Sequence, residues 1–165
     1  MRYGLILTES TKKQRLKNVV VEWTKPRLLD KNNWIDKNWY DGQLHNTGLY
    51  YILRQYGSSK KILYIGQSSD SFFNRLIAHQ EYWMNDTKGK VFISLGYIIY
   101  PTRKTKHEMK YLIEDVESAL IYETQPEYNN KKTVSYTPKH IYIIKNTRFR
   151  KPLNEIISMR THINN

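Results

Sequence analysis

Gly48-Leu49-Tyr50-Tyr51-Ile52-Leu53 and, after a polar interval, Ile62-Leu63-Tyr64-Ile65-Gly66 are the stretches whose reading decides the fold. Both runs are apolar and dense in aromatic and β-branched residues. The cluster between them, Tyr56-Gly57-Ser58-Ser59, is turn chemistry. Two β-prone runs around such a turn predict a hairpin.

Beyond Gly66 the pattern changes period. Gln67-Ser68-Ser69-Asp70-Ser71 is rich in helix N-cap residues, and Phe73, Leu76, Ile77 and Met84 then fall on one helical face, which predicts a helix from Phe72 to Met84. Val91 to Tyr100 reads as a third strand ended by Pro101. From Thr105 to Glu123 a second helix is predicted, because Met109, Leu112, Ile113, Val116 and Leu120 form a stripe at i, i+3, i+4, i+7 and i+11. The order β-β-α-β-α implies an α+β fold, a small sheet with helices packed on it.

This middle block, residues 47–130, divides the chain in three. Residues 1–46 form an N-terminal extension holding a β-like run, Val19 to Trp23, and a Trp-rich segment, Asn32 to Tyr40, that ends at Asp41-Gly42. Residues 131–165 form a C-terminal extension with a strand candidate, Ile141 to Ile144, and a short helix candidate, Asn154 to Met159. The tail is strongly basic between Lys145 and Lys151.

Composition narrows the class of partner. The 165 residues carry 39% hydrophobic side chains, four Trp and fourteen Tyr, enough for one folded domain to bury a core. Lys and Arg number 27 against 15 Asp and Glu, a formal charge of +12 spread through the chain, which implies a polyanionic partner. No run approaches the length of a membrane-spanning helix, and the first residues lack the apolar core of a signal peptide, so nucleic acid is favoured over a membrane. With no cysteine there is neither a disulfide nor a thiolate metal site, which fits a cytoplasmic setting.

Several side chains could carry chemistry. Arg75 and His79 lie four apart, one above the other on the first predicted helix and turned away from its apolar stripe. An Arg can fork onto phosphate oxygens, and a His titrates near neutrality and can relay a proton. Glu117 sits on the shoulder of the second helix's stripe, where a carboxylate can hold a hard cation such as Mg²⁺. Helix geometry alone does not choose between Glu117 and Glu123. Tyr50 and Tyr64 lie on the two strands of the hairpin, and Gly66 allows close approach to its backbone.

From Gly48 to Asn129, about half of the chain, the arrangement resembles the GIY-YIG nuclease family in order, spacing and predicted elements. Gly48-Leu49-Tyr50 stands for its first tripeptide, with Leu for Ile, and Tyr64-Ile65-Gly66 matches its second letter for letter. The family's helix Arg falls on Arg75, with His79 four residues on, as in several restriction endonucleases of this type. Its metal-binding Glu falls on Glu117, twelve residues before the Asn129 of Gln125-Pro126-Glu127-Tyr128-Asn129, and this selects Glu117 over Glu123. The interval between the tripeptides is a few residues longer than usual, which suggests a longer hairpin turn around Arg54 to Lys61.

The resemblance implies a GIY-YIG-like core and one-metal hydrolysis of DNA, with Mg²⁺ on Glu117 and Mn²⁺ as a substitute. Tyr50 would be the general base, His79 or Tyr64 would accept or position the proton, Arg75 would neutralise phosphoryl oxygens, and Asn129 would orient the Tyr or a loop. A Tyr with a pKa near ~10 is a poor base, so either Arg75 and the metal lower it or His79 takes the proton. The expected enzyme is a prokaryotic or phage restriction-type endonuclease acting as a homodimer on double-stranded DNA, with Lys145, Arg148, Arg150 and Lys151 as DNA contacts. Alternatives are a structure-specific, single-strand or non-specific nuclease of a phage or mobile element, and a non-catalytic DNA-binding protein.

Overall fold

The structure is a computed structural model that describes residues 17–29, 47–69, 71–100 and 104–159. The Trp-rich segment Asn32 to Tyr40 lies outside them. The hairpin consists of β3 (Gly48–Tyr56) and β4 (Ser59–Ser68), following β1 (Lys17–Trp23) and β2 (Arg27–Leu29). Next come α1 (Phe72–Tyr82), a short 3-10 turn (Met84–Asp86), β5 (Lys90–Ile99), α2 (Lys106–Thr124), β6 (Tyr142–Arg148) and β7 (Ile156–Ser158). The architecture is mixed α/β, in the broad sense α+β: one curled sheet in the order β4-β3-β5-β1-β6-β7, with β2 also paired to β5. All pairings are antiparallel except that of β1 with β6.

Two helices cover the sheet from opposite sides, and β3 shows why. Its side chains alternate between faces. Leu49, Tyr51 and Leu53 join Leu112, Val116 and Leu120 of α2 in one core, whereas Tyr50 and Ile52 join Phe72, Leu76 and Met84 around α1 in another. A strand wrapped on both faces needs a continuous apolar run, which Leu49 to Leu53 supplies. Each large side chain so buried contributes about 1.5–3 kcal/mol. The start of α2 is fixed by a capping box, in which the Thr105 hydroxyl accepts from the Glu108 N–H while the Glu108 carboxylate accepts from the Thr105 N–H.

Three expectations are corrected. The added length between the tripeptides does not lie in a longer turn: Tyr56 pairs with Ser59 across Gly57-Ser58, so the extra residues extend the ladder, with a bulge between Ile52 and Leu53. Asn154 to Met159 is not helical, because Ile156 to Ser158 pairs with Lys145 to Ile143 and buries Ile157. On α1 the fully buried side chains are Phe72 and Leu76, with Phe73 and Ile77 half-buried, so the sheet-facing side is rotated toward His79 rather than away from it. A stripe drawn through Phe73 and Ile77 and omitting Phe72 misplaced that face.

The outer segments are built into the same sheet. β1 takes the place beside β5, and β6 and β7 extend it further. Behind β1 the Trp23 indole N–H donates to the Asn146 Oδ1 at 2.9 Å, and Asn146 Nδ2 donates to the Asn154 carbonyl at 2.9 Å, with Trp23 and Asn146 almost fully buried. Among the described residues no helix is long and apolar enough to cross a membrane.

Asn146→Ala would strand the buried indole N–H and the Asn154 carbonyl, and is expected to cost about 2–4 kcal/mol in urea unfolding. A loss under about 0.5 kcal/mol would mean that the pair does not tie β6 to β1.

Candidate active site

β4 is an edge strand, and outward-facing backbone groups of Leu63, Ile65 and Gln67 are engaged by side chains and by the loop after α2. The Leu63 carbonyl accepts from the Tyr128 N–H at 2.8 Å. Asn129 mimics a strand partner: its Oδ1 accepts from the Ile65 N–H and its Nδ2 donates to the Ile65 carbonyl, both at 2.9 Å. Two residues further on, the Gln67 carbonyl accepts from Arg75 Nε at 3.4 Å. An edge covered in this way cannot template another strand. Asn129 therefore fixes the loop and the strand carrying Tyr64-Ile65-Gly66, and its amide does not bond to either Tyr.

On the α1 face three rings meet over Gly66. A Cβ at that position would lie 2.5 Å from the Tyr50 hydroxyl oxygen and 2.6 Å from a Tyr64 ring carbon, so only glycine admits both phenols. Tyr50 and Tyr64 stack with ring centroids 6.0 Å apart, and His79 lies 4.3 Å from Tyr64. The Tyr50 hydroxyl is 2.7 Å from His79 Nε2. Gly48, at φ +151°, begins β3 where a Cβ would strike the Gly96 carbonyl at 2.7 Å.

The charge states of this cluster follow from burial. Burial, and then the neighbouring Tyr64, pushes the Tyr50 phenol well above its usual value; Arg75 pulls it back, and Glu117 adds to the rise. Tyr64 is raised by burial and Glu117 against the pull of Arg75. His79 is lowered from 6.5 to about 4 by burial and by Arg75. At neutral pH the imidazole is thus uncharged and the phenol protonated. With both groups neutral, the 2.7 Å contact is a hydrogen bond in which Tyr50 O–H donates to Nε2 when the imidazole proton is on Nδ1, and accepts from Nε2–H in the other tautomer.

Glu117 reaches the same place from the helix on the other face. Gln67 links the two sides: its carbonyl accepts from Arg75 of α1, while its Nε2 donates to Glu117 Oε2 at 3.3 Å. The same Oε2 is 2.7 Å from Lys132 Nζ, and the Glu117 side chain is only 11% exposed. Glu123 is exposed, away from the phenols, so helix α2 presents Glu117 rather than Glu123 to the cluster. Mg²⁺ is commonly held by one or two carboxylates, with waters and substrate phosphate completing its octahedron. Glu117, paired with a cation that a metal could replace, fits that role. No group of three His, Cys, Asp or Glu side chains gathers among the described residues.

All six expected residues thus converge on one stretch of β4, with Arg75 exposed beside it. Sequence reasoning missed Gln67 and Lys132, which hold Glu117, and also Trp83. The Trp83 ring stacks on Tyr128 at 4.3 Å and 18° and lies 5.7 Å from His79, walling the imidazole from one side. Adjacency to Gly66 was the available signal for Gln67; Lys132, in a coil with φ +66°, offered none. The basic tail residues do not join the cluster. Arg148 pairs with Glu22 at 3.1 Å, Arg150 pairs with Glu155 at 2.9 Å, and Lys145 and Lys151 are exposed. Comparison of the chain with family models, curated proteins and solved structures finds no match.

Because His79 titrates at about 4 when folded and 6.5 when unfolded, only the unfolded chain takes up this proton between those values. Stability should therefore fall as pH drops from 6.5 toward 4, by up to about 3 kcal/mol from this group, and His79→Gln should remove that part of the fall. Urea unfolding of both proteins at neutral and acid pH measures it. A wild-type-to-variant difference independent of pH would show that the imidazole is not held neutral.

Proposed function

We propose that the protein is a metal-dependent endonuclease that hydrolyses DNA phosphodiester bonds, a GIY-YIG-like enzyme of restriction type. The observation that carries this reading is the convergence of Tyr50, His79, Arg75 and Glu117 from three separate elements onto the Gly66–Gln67 edge of β4. A purely structural assembly has no need of a buried phenol–imidazole pair beside an exposed guanidinium and a carboxylate paired with a lysine. The +12 charge supplies phosphate contacts and makes binding strongly salt-dependent. A prokaryotic or phage cytoplasm fits this chemistry.

In this mechanism Arg75 receives the phosphoryl oxygens of the scissile group and balances the charge that develops on them. A water beside Tyr50 attacks phosphorus. Its proton passes to the Tyr50 oxygen as the Tyr50 proton moves to His79 Nε2, so an ionised tyrosine never has to accumulate. Burial, which makes Tyr50 hard to ionise by itself, is what favours this relay over a free tyrosinate base. Tyr64 and Trp83 restrict the imidazole to a position in reach of Tyr50. When bound at Glu117, Mg²⁺ or Mn²⁺ supplies charge neutralisation at the phosphate and the departing 3′-oxygen. The departing 3′-oxygen takes a proton from solvent, and the products carry 5′-phosphate and 3′-hydroxyl ends. One such site cuts one strand, so a double-strand break calls for a homodimer on DNA.

Supercoiled plasmid incubated with Mg²⁺ should be cleaved, with EDTA abolishing cutting and Glu117→Ala slowing it at least about a hundredfold. Wild-type rates in Glu117→Ala would sink the reading. Metal entry must also displace Lys132 from Oε2. Lys132→Met should therefore tighten Mg²⁺ or Mn²⁺ binding several-fold in calorimetric titration, whereas unchanged or weaker binding would mean that the lysine and the metal do not compete.

A further inference from the structure

The face of the sheet away from Tyr50 and His79 carries a concavity. Pro26, Lys60, Arg148, Phe149, Arg150 and Lys151 line a depression of about 340 Å³. Four of these six side chains are cations, and none is acidic. Glu22 and Glu155 engage Arg148 and Arg150, while Lys60 and Lys151 have no ion pair among the described residues, so the depression keeps net positive charge. It is also rigidly built. Tyr51, the neighbour of Tyr50 but facing the other way, donates its hydroxyl from the core to the Phe149 carbonyl at 3.1 Å and the Lys151 carbonyl at 3.4 Å. Arg150 Nη1 donates to the Leu153 carbonyl at 2.9 Å, and the Leu153 N–H donates back to Arg150 at 2.8 Å over a buried Leu153 side chain. Arg148 opens this loop at φ +59°, a conformation unusual for a residue with a side chain.

Phe149 is 51% exposed in the middle of this loop, although the loop's anchoring depends on its backbone and not on its ring. A fixed cradle of cations around an exposed aromatic face matches a phosphate and a base face together. A duplex offers its stacked bases only at their edges, whereas an unpaired nucleotide offers a face for stacking. The depression's volume lies at the low end of small-molecule sites, the size for one such unit. The geometry points to a second nucleic-acid site: the pocket takes an unpaired nucleotide of a single strand, its base on Phe149 and its phosphate among Lys60, Arg150 and Lys151. This site rests on the pocket's own chemistry and not on cleavage.

Fluorescence anisotropy of the full chain in EDTA tests it, with a labelled oligothymidylate and a blunt, fully paired two-strand duplex as ligands. Phe149→Ala should weaken the single strand about tenfold and leave the duplex within about twofold, and Phe149→Trp should restore the single strand. Lys60→Ala, at the exposed end of the hairpin, should lower the salt dependence of single-strand binding by about 0.7 in slope. Unchanged single-strand affinity in Phe149→Ala, or an equal loss on both ligands, would overturn the assignment; should that variant prove unfolded by its melting curve, an unchanged slope in Lys60→Ala would do so. Because no cleavage is read, failure of the nuclease reading in the plasmid assay is a separate result.

Discussion

The absence of a side chain at Gly66 is the constraint on which the site depends. The volume that a Cβ would occupy is filled by the Tyr50 phenol, which lies across the backbone of β4 to reach His79. Tyr50 and Gly66 are partners in the hairpin register, so the ring has no lateral freedom to avoid a larger residue. Displacing it would break the 2.7 Å contact and separate the stacked phenols, at a cost of the order of 1–3 kcal/mol for overpacking alone. The tripeptide Tyr64-Ile65-Gly66 thus has a direct steric meaning: one ring, one core residue, and the gap that receives the ring of the opposite strand.

An edge strand would ordinarily be a liability, and here its protection and the candidate chemistry are the same set of contacts. Tyr128, Asn129 and Arg75 engage successive outward groups of β4, and the last of them brings a guanidinium to the border between the two faces. Gln67 extends that border to Glu117 on the other side. The carboxylate is taken up by Lys132, which offsets the cost of holding a charge at 11% exposure.

The sheet also acts as a partition. Alternation along β3 sends Tyr50 toward α1 and Tyr51 toward α2, so adjacent residues serve opposite faces. One phenol bonds to an imidazole in the cluster; the other anchors the basic loop that follows β6. The cations of that loop therefore lie on the face of the sheet opposite the Tyr50–His79 pair.

Much of the core was legible in the amino-acid order, because local physics fixes it. The hairpin, both helices and the strand between them follow from apolar runs, the Gly57-Ser58 turn and the stripe from Met109 to Leu120, each decided by residues near one another in the chain. Tyr50, Tyr64 and Gly66 are likewise placed together by register alone. The orientation of α1 was not legible: which of Phe72, Phe73 and His79 faces inward is set by the rings already over Gly66, not by the count of apolar residues on a helical wheel. Nor could the sequence put strands from both outer segments into the sheet, set Lys132 against Glu117, or separate the basic loop from the Tyr50–His79 cluster. Those are contacts between residues distant in the chain, selected by which buried polar groups find partners and which faces of the sheet remain to be covered, and only the tertiary structure decides them.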